Sequence, residues 1–203
     1  MLLVRDLLLL TGKRVDLSLE AGKGFVLEGP NGVGKSVLLR TLANLYPAAY
    51  EEFLLGSVKL EDISPEEFRS RVLYVGSSTH GTGEITTEEF LAAPLRLKVY
   101  QGFSPSFPVL EWVNRWNLSG KKLSHLSSGQ KQLLIFLRAI SLKSELLLLD
   151  EFTSHLDREK TQDVERLLEE WRGDGRSYLV VSHSQDQAQR LGERIDFGSL
   201  VRA

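Results

Sequence analysis

Residues 25–37 read FVLEGPNGVGKSV and decide the fold of this 203-residue chain. Three apolar residues, Phe25-Val26-Leu27, predict a buried strand, and a glycine-rich loop follows them. The residues after the loop show a helical pattern that runs to Tyr46 and stops at Pro47. A strand, a glycine loop and a helix in this order form the arrangement that a phosphate-binding site requires.

The loop fits the pattern G-x-x-x-x-G-K-[ST] in full. Its glycines let the backbone curl so that several N–H groups point at phosphate oxygens, and the following helix adds its N-terminal partial positive charge. Lys35 is expected to neutralise the β- and γ-phosphates of a nucleotide, and Ser36 to offer its hydroxyl to Mg²⁺. The expected nucleotide-binding residues are Gly29, Pro30, Asn31, Gly32, Val33, Gly34, Lys35, Ser36 and Val37.

Residues 146–151 read LLLLDE and form the second functional element. Four apolar residues followed by two acids place the carboxylates at the carboxyl end of a central strand, where α/β sheets bind their ligands. Asp150 is expected to hold Mg²⁺, and Glu151 to polarise the water that attacks the γ-phosphate. Together with Lys35, Glu151 is therefore a predicted catalytic residue.

Apolar strands that alternate with helices indicate the fold class. Residues 146–149 and 178–181 are apolar throughout, which is typical of a parallel sheet covered on both faces. The first 28 residues instead read as short strands, and residues 16–20 alternate with period two. The predicted class is α/β, a P-loop NTPase core with a mainly parallel sheet, N-terminal antiparallel β strands and an inserted helical subdomain.

We expect a single domain over residues 1–203, with a helical lobe inserted into an α/β catalytic lobe. In the insertion, Thr86 and Glu89 form a capping box that predicts a helix over residues 87–97. The α/β lobe is expected to comprise residues 1–77 and 143–203, and the helical lobe residues 78–142.

Composition excludes several classes of function. With 25 Lys+Arg against 27 Asp+Glu the net charge is −2, without the basic stripe of a nucleic-acid-binding protein. The chain has no cysteine, which excludes disulfides, Cys–zinc sites and thiol catalysis. Its apolar runs fall far short of the roughly 20 residues that span a bilayer, and its N-terminus does not resemble a signal peptide. We therefore predict a soluble, cytoplasmic protein that binds no nucleic acid.

Three further motifs carry a family resemblance. Residues 126–130, LSSGQ, resemble the L-S-G-G-Q signature of ABC-type ATPases. Residues 154–157, SHLD, resemble the D-loop of that family, and residues 180–183, VVSH, its switch-histidine strand. With the phosphate loop and LLLLDE, five motifs follow the family's order, and the chain resembles the nucleotide-binding domain of an ABC transporter.

The resemblance implies a shared ATP site. In this family two domains meet head to tail, and ATP with Mg²⁺ is held between the phosphate loop of one and the signature of the other. The resemblance implies that His183 bonds the γ-phosphate as a catalytic residue, and that Ser154 and Asp157 of the D-loop link the two sites. The second domain is expected to be another copy of this chain, in a homodimer. The signature residues expected to act in trans are Ser127, Ser128, Gly129 and Gln130.

The sequence departs from the family pattern at several positions. Ser77 stands where the family has Gln. Its hydroxyl is expected to ligate Mg²⁺ or a water molecule, but the side chain is too short to bridge to the helical lobe. Residues 1–24 contain no aromatic side chain or histidine that could stack on adenine. Contact with the base is therefore expected to come from aliphatic residues such as Leu7 or Leu8. Discrimination between ATP and GTP is therefore expected to be poor. The positions of a usual Thr, Gly and Pro are taken by Val37, Ser128 and Phe152.

The resemblance implies an ATPase that powers a membrane transporter. Because the chain is little more than the ATPase module, it needs a separate transmembrane permease subunit, which would hold it at the inner face of the cell membrane. One alternative is a soluble ABC ATPase that acts in DNA repair or translation; such proteins carry long coiled coils or two such domains, and neither is present. Another is a nucleotide-binding regulator with low turnover, which only Ser77 favours.

Overall fold

Two sheets with helices around them make up the part of the chain that the computed structural model describes, residues 1–76, 83–105, 108–173, 175–182 and 185–202. Ser77 and His183, both expected in the functional site, lie outside the described residues. The strands are β1 (Leu2–Leu8), β2 (Arg14–Leu19), β3 (Gly24–Glu28), β4 (Glu52–Leu55), β5 (Val58–Lys59), β6 (Val72–Val75), β7 (Leu146–Asp150), β8 (Ser177–Val181) and β9 (Glu193–Asp196). The α-helices are α1 (Lys35–Leu42), α2 (Pro65–Arg71), α3 (Thr87–Ala92), α4 (Val109–Arg115), α5 (Ser128–Ser141), α6 (Arg158–Arg172), α7 (Gln185–Arg190) and α8 (Phe197–Leu200).

The larger sheet is parallel throughout and has the strand order β6-β7-β8-β3-β9. Its β7 is buried along its whole length. Leu147 and Leu149 pack into a core with α4, α5 and α6, whereas Leu146 and Leu148 pack on the other face with α1 and the smaller sheet. Because both faces of the sheet are covered, β7 is apolar throughout and does not alternate apolar with polar residues. The predicted parallel core is confirmed.

The smaller sheet is antiparallel and has the order β2-β1-β4-β5. In β2 the buried positions are Val15, Leu17 and Leu19, and the residues between them are more exposed. This alternation arises because successive strand side chains point to opposite faces of the sheet. The predicted N-terminal antiparallel strands are confirmed.

The parallel sheet brings two distant stretches of sequence to one edge. β3 and β7 lie on either side of β8 and run in the same direction. Their carboxyl ends, at Glu28 and Asp150, therefore emerge at the same edge of the sheet. The glycine loop and the two acids are brought together in this way.

The inserted segment is helical, and α3 and α4 both pack against α5. Trp112 and Trp116 are buried in this lobe with their ring centroids 5.1 Å apart. Aromatic pairs at this spacing pack favourably beyond their burial. No helix among the described residues is long and apolar enough to cross a membrane.

Two helices end earlier than predicted. The helix expected over residues 87–97 ends at Ala92 and continues as a 3₁₀ segment, Ala93–Arg96. Pro94 is responsible, because proline lacks an N–H and clashes with the carbonyl four residues before it. The helix expected to reach Tyr46 ends at Leu42, and Asn44 has φ 54°, the left-handed conformation that commonly terminates helices at glycine or asparagine.

Candidate functional site

The phosphate loop connects β3 to α1 in a conformation that depends on glycine. Gly29 and Gly34 have φ of 146° and 118°, which residues with side chains rarely adopt. A Cβ on Gly29 would also lie 3.1 Å from Phe197 Cβ. The curled backbone expected from the sequence is therefore present.

α1 begins at the mouth of this loop with Gly34 as its N-cap. Within this fully described segment, no side chain caps the helix and its first turn holds no acidic residue. The first N–H groups of an α-helix have no partner inside the helix. These donors and the positive end of the helix dipole remain available to an anion.

The Lys35 ammonium folds over the loop that precedes it. Its Nζ donates to the carbonyls of Gly29 at 2.7 Å and Pro30 at 3.0 Å, and the residue is only 7% exposed. A phosphate held by the loop would contact this buried positive charge. The electrostatic attraction between the two is stronger there than in bulk water. The role of Lys35 in binding and hydrolysing a nucleotide stays a prediction.

Ser36 and Asp150 meet across the site although 114 residues separate them. The Ser36 hydroxyl donates to Asp150 Oδ1 at 3.0 Å. Asp150 closes β7 and is 4% exposed. The described residues contain no group of three or more His, Cys, Asp or Glu able to enclose a metal. One carboxylate and one hydroxyl, completed by phosphate and water oxygens, fit the Mg²⁺ of nucleotide sites.

Tyr74 of β6 completes the surroundings of Asp150 and was missed by the sequence analysis. Its hydroxyl donates to Asp150 Oδ2 at 2.8 Å and accepts from Arg40 Nε at 3.0 Å. Burial raises the pKa of Tyr74 to about 12, so the hydroxyl keeps its proton. Arg40 also donates to the Tyr46 hydroxyl at 3.1 Å. No motif signals this contact, because it depends on the pairing of β6 with β7.

Glu151 lies in a strained turn directly after β7. Its φ is 51°, a left-handed conformation that costs a residue with a side chain about 1 kcal/mol. The backbone is held by the Glu151 N–H, which donates to the Val181 carbonyl at 3.1 Å, and by the Ser154 N–H, which donates to the Glu151 carbonyl at 3.1 Å. Strained residues cluster at functional sites, so the turn supports the role predicted for this carboxylate.

The signature residues form the N-terminus of α5. Ser127 is its N-cap: the hydroxyl accepts from the Gln130 N–H at 3.2 Å, and Gln130 Oε1 accepts from the Ser127 N–H at 3.0 Å. Ser127 and Ser128 are exposed, as a surface that contacts a second molecule requires. A Cβ on Gly129 would lie only 2.6 Å from the His155 carbonyl oxygen, so the signature and the D-loop touch at this glycine.

The D-loop residues have local partners. Asp157 is the N-cap of α6 and accepts from the Lys160 N–H at 2.9 Å and Nζ at 2.7 Å. The Lys160 side chain lowers the pKa of Asp157. The Ser154 hydroxyl lies at hydrogen-bond distance, 3.1 Å, from His155 Nδ1. The predicted link of Ser154 and Asp157 to a second site stays a prediction.

A network of side chains around the buried Glu165 connects to the turn after β7. Glu165 of α6 accepts from Arg190 through both of its oxygens at 2.9 Å and from Gln187 Nε2 at 3.0 Å. Gln187 Nε2 also lies 3.2 Å from Thr153 Oγ1, two residues after Glu151. The network thus joins α6 and α7 to the turn that carries the catalytic candidate.

The two leucines expected to contact a nucleotide base differ in burial. Leu7 is fully buried in the core and is not accessible to a base, whereas Leu8 is only partly buried and stays a prediction. In the turn between β1 and β2, Leu10 is 63% exposed. This turn touches the phosphate loop, because Lys13 Nζ donates to the Val33 carbonyl at 3.0 Å. Leu10 is thus the better aliphatic candidate.

A glutamine of the helical lobe reaches the end of β6. The buried Gln132 of α5 donates through Nε2 to the Gly76 carbonyl at 3.3 Å, next to the Ser77 position. Its Oε1 is buried without a hydrogen-bond partner among the described residues. The Gln132 side chain therefore ties α5 to the end of β6.

Comparisons with known proteins agree with these motifs. A family model described as "ABC transporter" matches residues 12–154. The phosphate import ATP-binding protein PstB of Thermococcus kodakarensis is 32% identical, over 91% of this chain and 79% of that protein. The lipoprotein-releasing system ATP-binding protein LolD of Nitratidesulfovibrio vulgaris is also 32% identical, over 91% of this chain and 82% of that protein.

Solved structures share the fold at lower identity. A dimeric ATP-binding cassette in a post-hydrolysis state, bound to ADP and Pi, superposes with a TM-score of 0.82 at 23% identity, covering 97% of this chain and 94% of that one. A putative ABC transporter ATP-binding protein from Pyrococcus furiosus gives a TM-score of 0.79 at 18% identity, with 99% of both chains covered. The likeness confirms the predicted fold class.

Proposed function

The chain belongs to the ABC transporter family, and on this premise we propose that it is the ATP-binding and ATP-hydrolysing subunit of a membrane transporter. The observation that carries the proposal is the meeting of Lys35, Ser36 and Asp150 at one edge of the parallel sheet. A phosphate cradle beside a metal-competent hydroxyl and carboxylate is what hydrolysis of a nucleoside triphosphate needs.

Each residue has a defined part in the proposed hydrolysis. The phosphate loop and Lys35 bind the triphosphate, and Ser36 and Asp150 would hold Mg²⁺, with Ser77 assigned to the same ion. Mg²⁺ supplies charge neutralisation on the β- and γ-phosphate oxygens. Water attacks the γ-phosphorus while the bond to the β–γ bridging oxygen breaks, and Glu151 accepts the proton of the water. His183 hydrogen-bonds the γ-phosphate.

We assign the second half of the ATP site to another copy of the chain. The exposed Ser127 and Ser128 lie at the N-terminus of a 14-residue helix, whose dipole favours bound anions. Facing the phosphate loop of a partner, this helix end would contact the γ-phosphate together with Gly129 and Gln130. In this arrangement Ser154 and Asp157 link the two sites, and residues 78–142 act as the lobe that carries the signature.

The proposed location is the cytoplasmic face of the membrane. Relatives such as the arginine transport ATP-binding protein ArtP of Haemophilus influenzae, 30% identical over 89% of this chain, are named as the ATP-binding part of a transporter. By analogy, a separate permease subunit crosses the bilayer and is driven by the closing of the two ATPase chains.

Leu10 takes the place of a stacking aromatic side chain in this proposal. GTP is therefore expected to replace ATP with little loss of affinity or hydrolysis rate.

Phosphate release by the purified chain tests the function directly. We expect hydrolysis that requires Mg²⁺ and whose rate per chain rises with protein concentration, because two copies complete each site. Light scattering at the same concentrations measures the dimer fraction that the rate should follow. A rate per chain that is independent of concentration would contradict the shared site. The absence of hydrolysis, both with and without Mg²⁺, would contradict the proposed ATPase activity.

Replacing Gly129 by Ala tests the signature. The added Cβ would meet the His155 carbonyl at 2.6 Å, so α5 or the D-loop must shift. Because reaction rates depend steeply on the placement of the contacting groups, we expect a loss of about tenfold in hydrolysis rate, which corresponds to about 1.4 kcal/mol in activation free energy. Nucleotide affinity of the monomer, measured by fluorescence titration, should stay unchanged.

The matched control is Gly83→Ala, where the new Cβ lies 3.6 Å from Ile85 Cγ1, an ordinary contact in the same lobe. This variant should hydrolyse ATP like the wild type. Equal rates for the Gly129 variant and the wild type would exclude a role for the close signature contact.

A further inference from the structure

The Tyr74 hydroxyl joins three elements beside the proposed Mg²⁺ site. Tyr74 lies in β6 opposite Leu148 of β7, and its hydroxyl donates to Oδ2 of Asp150, the last residue of β7, at 2.8 Å. On its other side it accepts from Arg40 Nε at 3.0 Å, and Arg40 belongs to α1, the helix that follows the phosphate loop. The Tyr74 hydroxyl therefore accepts a hydrogen bond from Arg40 and donates one to Asp150.

Asp150 depends on this contact because its carboxylate is almost entirely removed from water. It follows four leucines, and a buried carboxylate is costly unless its oxygens accept hydrogen bonds. Among the residues that the structure describes, the side-chain donors are Ser36 to Oδ1 and Tyr74 to Oδ2. The terminal torsion of an aspartate is soft, so two donors on opposite oxygens determine how the carboxylate plane is turned.

Gly76 leaves the space that Tyr74 occupies. A Cβ at this position would lie 2.9 Å from the Tyr74 hydroxyl oxygen and 3.0–3.2 Å from ring atoms. The Gly76 backbone has no positive φ, so alanine is acceptable there apart from this contact. The absence of a side chain at the end of β6 is therefore matched to the position of the tyrosine ring.

We propose that Tyr74, held by Arg40, is a positioning residue that fixes the carboxylate plane of Asp150 and so keeps Asp150 and Ser36 in place for Mg²⁺. The inference rests on the proposed function, since it concerns the metal of the same ATP site. Tyr74 touches neither nucleotide nor metal in this scheme and acts through Asp150. Residues that orient metal ligands typically change metal affinity about 10- to 100-fold when they are replaced.

The test is a Mg²⁺ titration of Tyr74→Phe with a fluorescent, non-hydrolysable ATP analogue. We expect the Mg²⁺ concentration for half-maximal binding to rise about tenfold, whereas affinity for the analogue in EDTA stays at the wild-type value. Gly76→Ala keeps the hydroxyl but displaces the ring, and it should shift the Mg²⁺ midpoint in the same direction. Tyr46→Phe, the matched control, removes only the second acceptor of Arg40 and should leave the midpoint unchanged.

The outcomes separate this inference from the proposed function. Wild-type Mg²⁺ dependence with an unchanged midpoint in Tyr74→Phe would overturn the positioning role and leave the function intact. Equal losses of affinity with Mg²⁺ and in EDTA would make Tyr74 a structural residue only, and would also overturn the role. A wild-type chain that binds the analogue without any response to Mg²⁺ would overturn the inference together with the metal site on which it rests.

Discussion

Glu151→Gln is expected to bind ATP normally, to release phosphate at least 100-fold more slowly than the wild type, and to accumulate as an ATP-bound dimer. A positioned general base contributes about 10²- to 10⁴-fold to a proton transfer, and the amide can no longer accept the proton of the attacking water. Because the γ-phosphate is not cleaved, it continues to bridge the two chains. Single-turnover phosphate release and light scattering measure the two effects.

The control is Glu170→Gln, the same change at an exposed position near the end of α6. It should hydrolyse ATP at the wild-type rate and show no excess of dimer. With ADP in place of ATP, Glu151→Gln should itself stay monomeric, because the γ-phosphate is missing. An ATP-bound monomer of this variant, or undiminished hydrolysis, would contradict the shared catalytic site.

Lys35→Ala should have the second large effect, the loss of nucleotide binding. The ammonium lies over the phosphate loop, and losing one partner of a buried charge pair costs about 2–5 kcal/mol. We expect ATP affinity to fall about 100-fold or more, since each 1.4 kcal/mol corresponds to a factor of ten. Titration with a fluorescent ATP analogue measures the change, and the melting temperature without nucleotide should stay close to that of the wild type.

Lys13→Ala is the matched control for this loss of charge. Lys13 also donates to a carbonyl of the phosphate loop, at Val33, but it approaches from the β1–β2 turn. Its removal should weaken ATP binding far less than the removal of Lys35. Similar losses in the two variants would show that general positive charge near the loop, and not the buried ammonium, binds the phosphates.

Several features of the fold follow from local sequence alone. Gly29, Gly34 and the lysine at the start of α1 predict a phosphate loop, because backbone conformation and charge are local properties. The unbroken leucines of β7 predict a strand covered on both faces. The helix ends at Ala92 and Leu42 were misjudged, because periodicity extends past the points where Pro94 and Asn44 interrupt the hydrogen bonds.

Other features of the site depend on strand register and on contacts between α5 and β6. Tyr74 meets Asp150 because β6 pairs with β7 in parallel, and Gln132 meets Gly76 because α5 lies against β6. Neither pair has a fixed spacing that a motif could encode. In the sequence, Gly129 is one residue of the signature motif. In the folded chain, it is also required for packing, because a side chain there would collide with the His155 carbonyl.

The amino-acid sequence already predicts the kind of chemistry: a cradle for phosphate, a serine and an aspartate suited to Mg²⁺, and a glutamate next to the aspartate. These properties reside in residue type and short-range spacing, which the chain carries before it folds. Tertiary contacts set how the aspartate is oriented, which leucine of the β1–β2 turn is exposed, and where α5 is joined to the end of β6. Those features arise from hydrogen bonds and burial between residues that are far apart in sequence, and such contacts exist only after the strands have paired and the helices have packed.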